Sequence, residues 1–287
     1  MSESVSAEPK SAQLKAFVVG DPIAHSRSPM IHGHWLKQHG VAGAYERVHA
    51  APADFAAFFR DFPARGYRGG NVTLPHKEAA FALADVVTDW ARRLGAVNTL
   101  WLEDGRVHGD NTDVSGFIAN LDQELGSWRA QTALVLGAGG AARAVVAALL
   151  ERGLESIVVA NRTLAKAKDL AAFDAARIEP LEWPGADLPL AGTDLLINTT
   201  SLGMAGQPQL ELALDALPDH AIVTDIVYVP LETRLLRDAR ARGLRSADGL
   251  GMLLHQATPG FARWFGVTPQ VTPDLRRLVE ADIGRRT

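Results

Sequence analysis

The chain has 287 residues, of which 47% are hydrophobic, with a formal net charge of -4 and no cysteine. A chain of this length can bury two hydrophobic cores, so we expect two domains. Its weak negative charge does not attract the phosphate backbone of a nucleic acid, so we expect no nucleic-acid partner. The lack of cysteine excludes disulfides, thiolate-bound zinc and a cysteine nucleophile.

The first eleven residues, Met1 to Ser11, are mostly polar and contain no apolar stretch. We therefore expect a frayed start rather than a signal peptide. No apolar run elsewhere reaches the length needed to span a membrane. The sequence favours a cytoplasmic protein with no membrane partner, present as a monomer or a homodimer.

Apolar and amphipathic segments alternate from Lys15 onward, which is typical of βα units around a mostly parallel sheet. The Asp104-Gly105 pair favours a tight hairpin turn between the last two strands of the first unit. In that unit the pattern predicts strands at 15–20, 45–49, 69–73, 97–102 and 106–108, and helices at 29–39 and 52–65.

A helix at 113–125 is predicted to lead into a second α/β unit. Two further helices, separated by Thr268-Pro269, are expected after Gly249. The sequence thus predicts an α/β protein of two domains with a boundary near Asp113. The second unit has predicted strands at 132–136, 156–160, 195–198 and 222–226, and predicted helices at 141–151, 164–172 and 231–241.

The segment Gly137-Ala138-Gly139-Gly140-Ala141-Ala142 lies between a predicted strand and a predicted helix. The pattern G-x-G-x-x-A allows a tight turn and the close approach of a pyrophosphate to the backbone, beside the unpaired N–H groups of the helix. The alternative is a glycine-rich turn that only packs a helix on a sheet.

The next strand ends at Asn161-Arg162-Thr163. NAD-selective sites usually have an acid here for the ribose 2′-hydroxyl, whereas a guanidinium pairs with a 2′-phosphate. Thr163 can also donate, and Lys166 adds positive charge, so the segment favours NADP. A solvated arginine and a helix-capping threonine are the structural alternatives.

The loop from Asn198 to Met204 follows a buried strand, at the edge of the sheet where such folds bind ligands. Its polar side chains, including Thr200 and Ser201, either line a cofactor cleft or form turns.

Two hydroxyl groups, those of Ser26 and Ser28, precede the first predicted helix. Ser28 followed by Pro29 fits an N-cap with proline at the first helical position, which would explain this serine structurally. Ser26 has no such local role, so we expect its hydroxyl to meet a polyol or a carboxylate.

The segment Asn71-Val72-Thr73-Leu74-Pro75-His76-Lys77 places an amide, a hydroxyl and an ammonium group at the carboxyl end of a strand. A lysine at a helix N-terminus meets an unfavourable dipole, which is unusual for a purely solvated lysine. Asp113 either caps the following helix or pairs with Lys77.

Together these motifs resemble the shikimate dehydrogenase family over nearly the whole chain, from Phe17 to Gly266. Gly33 is a departure, since the family often has asparagine after Ile31-His32. Seven ordered segments carry the resemblance: 20–29, 71–77, 95–99, 111–113, 137–142, 161–163 and 249–256.

The resemblance implies a discontinuous substrate domain at 12–113 and 248–287, a Rossmann-like NADP-binding domain at 114–247, and an active site in the cleft between them. It implies that Lys77 and Asp113 are the catalytic pair. It also implies that the substrate is bound by Ser26, Ser28, Asn71, Thr73, Asn98, Tyr228 and Gln256.

The residue patterns and the resemblance together also predict a set of NADP(H)-binding residues. No metal is expected, because His25, His32 and His34 match no metal-binding spacing and are better explained by packing. The cofactor set is Gly137, Ala138, Gly139, Gly140, Ala141, Asn161, Arg162, Thr163, Lys166, Thr200, Ser201 and Gly249.

The implied activity is the NADPH-dependent, reversible reduction of 3-dehydroshikimate to shikimate in chorismate and aromatic amino acid biosynthesis. Lys77 would protonate the ketone oxygen, and Asp113 would hold the lysine and a substrate hydroxyl. The alternatives are a quinate/shikimate dehydrogenase with broader substrate or NAD use, a non-catalytic sensor of shikimate-pathway metabolites, and a folate-linked methylene dehydrogenase. Asn161-Arg162 argues against the branch of the family that uses NAD.

Overall fold

Two six-stranded sheets organise the chain in the computed structural model, which describes residues 13–285. The predicted frayed segment, Met1 to Ser11, lies outside the described residues, as does Ala12, the first residue of the predicted substrate domain. Within residues 13–285, no helix is both long enough and apolar enough to cross a membrane.

The first sheet is mixed. Its strands are β1 (Leu14–Gly20), β2 (Gly43–His49), β3 (Tyr67–Val72), β4 (Val86–Val87), β5 (Thr99–Glu103) and β6 (Arg106–Asp110). Their order is β2-β1-β3-β5-β6-β4, and β5 runs antiparallel to both β3 and β6. Asp104 and Gly105 have positive φ angles of 50° and 73°, which confirms the predicted tight turn between β5 and β6.

Four helices connect these strands: α1 (Ser28–Gln38), α2 (Phe55–Asp61), α3 (Lys77–Leu83) and α4 (Asp89–Leu94). The prediction for α2 was too long at both ends. The observed helix stops at Asp61, two residues before Pro63, because proline cannot continue the hydrogen-bond pattern and restricts the residue before it. A helix beginning near Lys77 was predicted and is observed as α3, whereas the short helix α4 and the two-residue strand β4 were not predicted.

The second sheet is parallel throughout. Its strands are β7 (Thr132–Leu136), β8 (Ser156–Asn161), β9 (Ile178–Glu182), β10 (Leu195–Asn198), β11 (Ile222–Asp225) and β12 (Arg245–Ala247). Their order is β12-β11-β10-β7-β8-β9, so the chain winds outward in both directions from β7. The carboxyl ends of β7 and β10 therefore border the crevice where doubly wound sheets bind ligands.

The helices of this unit are α5 (Asp113–Leu125), α6 (Gly140–Glu151), α7 (Leu164–Ala171) and α8 (Arg234–Ala241). Helix α6 packs against the sheet with eight of its twelve residues buried. Its side chains join β7, β8 and the inner face of α5 in one apolar core. Strands β9 and β12 were missed by the sequence analysis, since each is short or carries a proline.

Three helices follow, rather than the two predicted: α9 (Leu250–His255), α10 (Ala257–Phe265) and α11 (Pro273–Gly284). Gln256 separates α9 from α10, and Gly266, with a φ of 74°, ends α10. All three helices return to the first sheet, where Leu254, Phe261 and Val279 share a core with residues of β1.

Helices α5 and α9 cross at two glycines. A Cβ at Gly251 would lie 1.8 Å from the side-chain oxygen of Asn120, and one at Gly116 would lie 2.8 Å from the Cβ of Gln256. Asn120 donates a 2.7 Å hydrogen bond to the backbone oxygen of Asp248, and Arg276 of α11 forms ion pairs with both Asp248 and Glu124. The segment that leads from the first sheet to the second, α5, therefore lies next to the segment that returns at Asp248 and α9. The two are joined by hydrogen bonds and ion pairs.

Candidate active site

A cavity of about 380 Å³ is lined by residues of both units. It is the point where the carboxyl ends of β1, β3 and β11 and the start of α9 converge. All nine residues predicted for substrate binding or catalysis line it: Ser26, Ser28, Asn71, Thr73, Lys77, Asn98, Asp113, Tyr228 and Gln256.

Lys77 and Asp113 form an ion pair at the edge of this cavity. Each is the first residue of its helix, and Lys77 Nζ lies 2.6 Å from Asp113 Oδ2. The other carboxylate oxygen accepts a 2.8 Å bond from Asn98 Nδ2. Of the two alternatives for Asp113, pairing with Lys77 is the one observed, and no side-chain bond caps α5.

The pair is only partly buried. The side chains of Lys77 and Asp113 are 27% and 16% exposed. Lys77 Nζ carries three protons and directs one of them to Asp113, so the ammonium group retains donors for a ligand.

Buried polar side chains fix Asn98 behind the ion pair. Asn98 Oδ1 accepts from Thr99 Oγ1, Thr112 N and Thr112 Oγ1 at 2.9 to 3.1 Å. Asn71 Nδ2 donates to the backbone of Asn98, and Asn71 Oδ1 accepts a 2.6 Å bond from Tyr45 Oη. Because every member has partners, this network holds Asn98 and thereby Asp113 in one orientation.

Sequence reasoning did not assign roles to Thr99, Thr112 or Tyr45. Thr99 directly follows Asn98 and Thr112 directly precedes Asp113, so adjacency to these two residues was the available signal. Nothing in the local sequence of Tyr45 indicated that it would bond Asn71, which lies on a different strand.

The two serines differ from their predicted local roles. Arg27 is the N-cap of α1, and no side chain caps the helix, so the capping explanation for Ser28 was wrong. Ser26 Oγ accepts a 3.3 Å bond from Ser28 N, so Ser26 does have a local role. Both nevertheless line the cavity.

Arg27 is a lining residue that the sequence analysis missed. Its Nε lies 3.0 Å from Asp282 of α11, and its guanidinium lies 5.8 Å from the ring centre of Tyr228. A cation between two serines next to a candidate ligand-binding turn was the signal that could have identified it.

The glycine-rich turn between β7 and α6 is open. Gly137 has a φ of 103°, and a Cβ there would lie 2.7 Å from Thr199 Oγ1, whereas a Cβ at Gly139 or Gly140 would meet nothing within 4 Å. Gly139 is the N-cap of α6 and supplies no side-chain bond, so the first N–H groups of a twelve-residue helix face open space. This arrangement fits a pyrophosphate.

Arg162 and Thr163 follow β8 directly and are exposed, as is Lys166 one turn into α7. No side-chain bond from Thr163 caps α7, so capping does not explain this threonine. Among the ion pairs formed by residues 13–285, none involves Arg162 or Lys166. Two cations without acidic partners, next to the glycine-rich turn, fit a ribose 2′-phosphate.

Thr200 and Ser201 line a second pocket of about 300 Å³. Ile226 and Tyr228 border both this pocket and the main cavity, so the two are neighbours. Gly249, predicted to contact the cofactor, lies in the wall of the main cavity, where a Cβ would come within 2.2 Å of Ile226 O.

His32 is fully buried and stacks on the ring of Tyr45, with 3.9 Å between ring centres. Burial lowers the pKa of its imidazole to about 3. The packing role predicted for this histidine is therefore confirmed.

A doubly wound parallel sheet with an open glycine turn, beside a polar cavity containing a lysine–aspartate pair, defines an oxidoreductase of the two-domain, dinucleotide-linked class. Comparison with known proteins narrows this class. Residues 18–100 match the family model described as shikimate dehydrogenase substrate binding domain, and residues 120–211 match the one described as shikimate / quinate 5-dehydrogenase.

A curated relative from Methylocella silvestris, named shikimate dehydrogenase (NADP(+)), is 61% identical over 95% of this chain and 98% of its own length. The Thermus thermophilus shikimate 5-dehydrogenase in complex with NADP(H) and shikimate has a TM-score of 0.81 at 37% identity, covering 96% of this chain and 100% of that one. The quinate dehydrogenase of Corynebacterium glutamicum in complex with NAD has a TM-score of 0.85 at 30% identity, covering 95% and 99%. The chain belongs to the shikimate dehydrogenase family.

Proposed function

We propose that this protein catalyses the NADP-linked, reversible reduction of 3-dehydroshikimate to shikimate, a step of aromatic amino acid biosynthesis. The observation that carries the proposal is the Lys77–Asp113 pair at the edge of a polar cavity that both units line. Curated relatives at 54 to 61% identity bear this activity in their names.

The cavity is suited to a small ring with several hydroxyl groups and a carboxylate. Its lining offers hydroxyls, side-chain amides, an ammonium and a guanidinium beside apolar side chains such as Ile226 and Met252. We assign substrate binding to Ser26, Ser28, Asn71, Thr73, Asn98, Tyr228 and Gln256. The polar side chains of Ser26, Ser28 and Asn98 suit a polyhydroxylated carboxylate better than a pterin, which disfavours the folate-linked alternative.

Lys77 and Asp113 are assigned the proton chemistry. Reduced nicotinamide, when bound, supplies the hydride that converts the ketone carbon to a secondary alcohol. Lys77 Nζ donates the proton that the ketone oxygen needs as negative charge develops on it. Asp113 holds the ammonium group in place, and the bond from Asn98 prevents the carboxylate from rotating away.

We assign the cofactor's pyrophosphate to the turn from Gly137 to Ala141 and its 2′-phosphate to Asn161, Arg162, Thr163 and Lys166. The open face of the turn and the unpaired cations support this assignment. Thr200 and Ser201 are assigned to the nicotinamide end, because their pocket adjoins the cavity that contains Lys77. Gly249 is assigned to the wall between the two ligands.

We also propose domain boundaries at 12–113 with 248–287 and at 114–247. The shared core of α9 to α11 with β1 supports the discontinuous substrate domain. The burial of Val114, Phe117 and Leu121 against α6 supports the start of the other domain at the beginning of α5.

The deciding experiment measures initial rates of the purified protein with shikimate or quinate as substrate and NADP⁺ or NAD⁺ as cofactor. Turnover confined to shikimate with NADP⁺ is expected. Comparable rates with quinate or NAD⁺ would instead indicate the broader activity, which the likeness to the NAD-bound quinate dehydrogenase makes the leading competitor. Binding of shikimate without turnover in any combination would indicate a sensor.

A further inference from the structure

Two buried polar residues, Asn198 and Asp225, end the adjacent strands β10 and β11. They are register partners, and both are fully inaccessible to solvent. Asp225 Oδ1 accepts bonds from Asn198 Nδ2 at 2.9 Å and from Val227 N at 3.0 Å. Asp225 Oδ2 accepts a 2.7 Å bond from Thr233 Oγ1. Both oxygens of this buried carboxylate are thus hydrogen-bonded, by three donors in total.

Asn198 extends this network to the next loop. Its Oδ1 accepts from Thr200 N at 3.0 Å and from Thr200 Oγ1 at 2.7 Å, while its Nδ2 also donates to Leu202 O at 3.1 Å. The loop after β10 and the loop after β11 are therefore bonded to each other through one pair of side chains. Neither side chain touches the cavity itself.

The loop after β11 forms a wall between the two pockets, and the loop after β10 lines the second pocket. The loop after β11 carries Ile226 and Tyr228, which border the cavity of Lys77 on one side and the pocket of Thr200 and Ser201 on the other. A shift of this wall would change the relative position of the two ligands. Displacements of about 1 Å at such positions can cost about 100-fold in rate.

We propose that Asp225 is a positioning residue that, through Asn198, fixes the wall shared by the substrate and the nicotinamide. This inference rests on the proposed function, since it takes the two pockets to be the sites of those ligands. Asp225 acts on both ligands at once, because it bonds the loop after β11 directly at Val227 and the loop after β10 through Asn198. The expected signature of its loss is a joint change in the KM values for substrate and cofactor, together with a lower kcat.

The chain offers a matched control at the opposite end of the same sheet. Asp194 precedes β10 and accepts bonds from Gln131 N at 2.8 Å, Thr132 N at 3.0 Å and His220 Nε2 at 3.0 Å. Asp194→Ala therefore also removes an acid with three bonding partners, but it does so at the amino end of β10, away from both pockets.

The test compares Asp225→Ala, Asp225→Asn and Asp194→Ala by steady-state kinetics with shikimate and NADP⁺, well below their unfolding temperatures. Asp225→Ala is expected to lower kcat/KM for both ligands by roughly 10- to 100-fold. Asp225→Asn should restore most of the loss, because its amide can accept from Asn198 and Val227 and donate to Thr233. Asp194→Ala should stay within about twofold of the unaltered protein.

An Asp225→Ala enzyme with normal kcat/KM, or one no more impaired than Asp194→Ala, would overturn the proposal. If Asp225→Ala does not fold, Thr233→Val decides: it leaves Asp225 Oδ2 without its partner, and unchanged KM values would again overturn the proposal. If the unaltered protein does not turn over shikimate, the proposed function fails separately. The positioning role of Asp225 is then tested by calorimetric titration of NADP⁺ and shikimate into the same variants. Equal affinities in Asp225→Ala and the unaltered protein would refute this role.

Discussion

The ammonium group of Lys77 is the reactive centre of the proposed mechanism. Lys77→Ala removes the proton donor but leaves Asn71, Thr73 and the serines that are assigned to substrate binding. Turnover is therefore expected to fall by about 10² to 10⁴-fold, with shikimate affinity largely retained. Steady-state rates and equilibrium titration with shikimate measure the two effects. Lys37→Ala, which removes an exposed lysine from α1, is the control, and near-normal turnover in Lys77→Ala would refute the assignment.

Arg162 is expected to decide between NADPH and NADH. On the proposed assignment, Arg162→Ala would remove a charge-assisted bond to the 2′-phosphate, which is worth about 1.5 to 3 kcal/mol, or roughly a 10- to 100-fold rise in the KM for NADPH. The KM for NADH should change little. Arg129→Ala removes another exposed arginine just before β7, at the far end of the sheet, and serves as the control. Equal losses for both cofactors would contradict the assignment.

For individual residues, the sequence indicated which side chains lie together in the site, but not which hydrogen bonds fix their positions. The residue pattern left capping and pairing with Lys77 both open for Asp113, and the family resemblance implied the pair. The capping role predicted for Ser28 was wrong and Arg27 was overlooked, because the helix begins one residue earlier than the serine-proline pattern suggests. A shift of one residue changes which side chain caps the helix and which lines the cavity.

Substituting alanine for two glycines in different helices is expected to change the stability of the protein in opposite directions. A Cβ at Gly33, within α1, would meet nothing within 4 Å, so Gly33→Ala should stabilise the protein by about 0.5 to 1 kcal/mol through helix propensity. At Gly251 in α9 a Cβ would lie 1.8 Å from Asn120 Oδ1. Gly251→Ala should destabilise by about 1 to 3 kcal/mol.

Urea unfolding of the two variants measures both effects on one scale. Because both changes are glycine to alanine inside a helix, any difference between them reports the space around the new methyl group. An unaffected Gly251→Ala would show that the α5–α9 crossing is looser than its geometry indicates, and a destabilised Gly33→Ala would contradict the open space around Gly33.

Elements with a clear apolar or amphipathic pattern were predicted closely, whereas strands of only two or three residues were not. The bounds of α5, β7 and β10 match their predictions residue for residue. The break between α9 and α10 was missed, because no glycine or proline marks Gln256 and the apolar pattern continues across it. Strands of two or three residues such as β4 and β12 depend on pairing with distant strands, which local sequence does not encode.

The pH dependence of stability should carry a contribution from Asp225. Burial raises the pKa of its carboxyl to about 6 from the usual 3.8, and no charged group among the described residues contributes to that shift. A raised pKa means that the folded state holds the proton more tightly. The stabilisation is present below about pH 4 and is lost as the pH rises through 6, at a cost of about 3 kcal/mol.

Asp225→Asn has no proton to lose at this position. Its free energy of unfolding, relative to that of the unaltered protein, is therefore expected to rise between pH 4 and pH 7.5. Chemical denaturation of both proteins at several pH values measures the difference, in which the contributions of all other groups cancel. A difference that stays constant across this range would show that Asp225 titrates normally.

For the molecule as a whole, the alternation of apolar and amphipathic segments was sufficient to predict two α/β units. It did not predict the path of the last forty residues. The return of α9 to α11 to the first sheet followed from family resemblance rather than from pattern. Its physical cause is a set of contacts distant in sequence, such as the 2.7 Å bond from Trp264 Nε1 to Leu100 O. Single-sequence periodicity contains no information about such partners.

The bond between Asn120 and Asp248 joins the start and the end of the segment that contains the parallel sheet. A segment whose two ends meet in space can be replaced by another of the same kind without stretching the remainder of the chain. The proposed dinucleotide-binding domain, residues 114–247, thus has the geometry of a unit that can be exchanged between relatives. Transplanting the corresponding segment of an NAD-bound relative should transfer cofactor preference while leaving Lys77, Asn98 and the serines in their original setting.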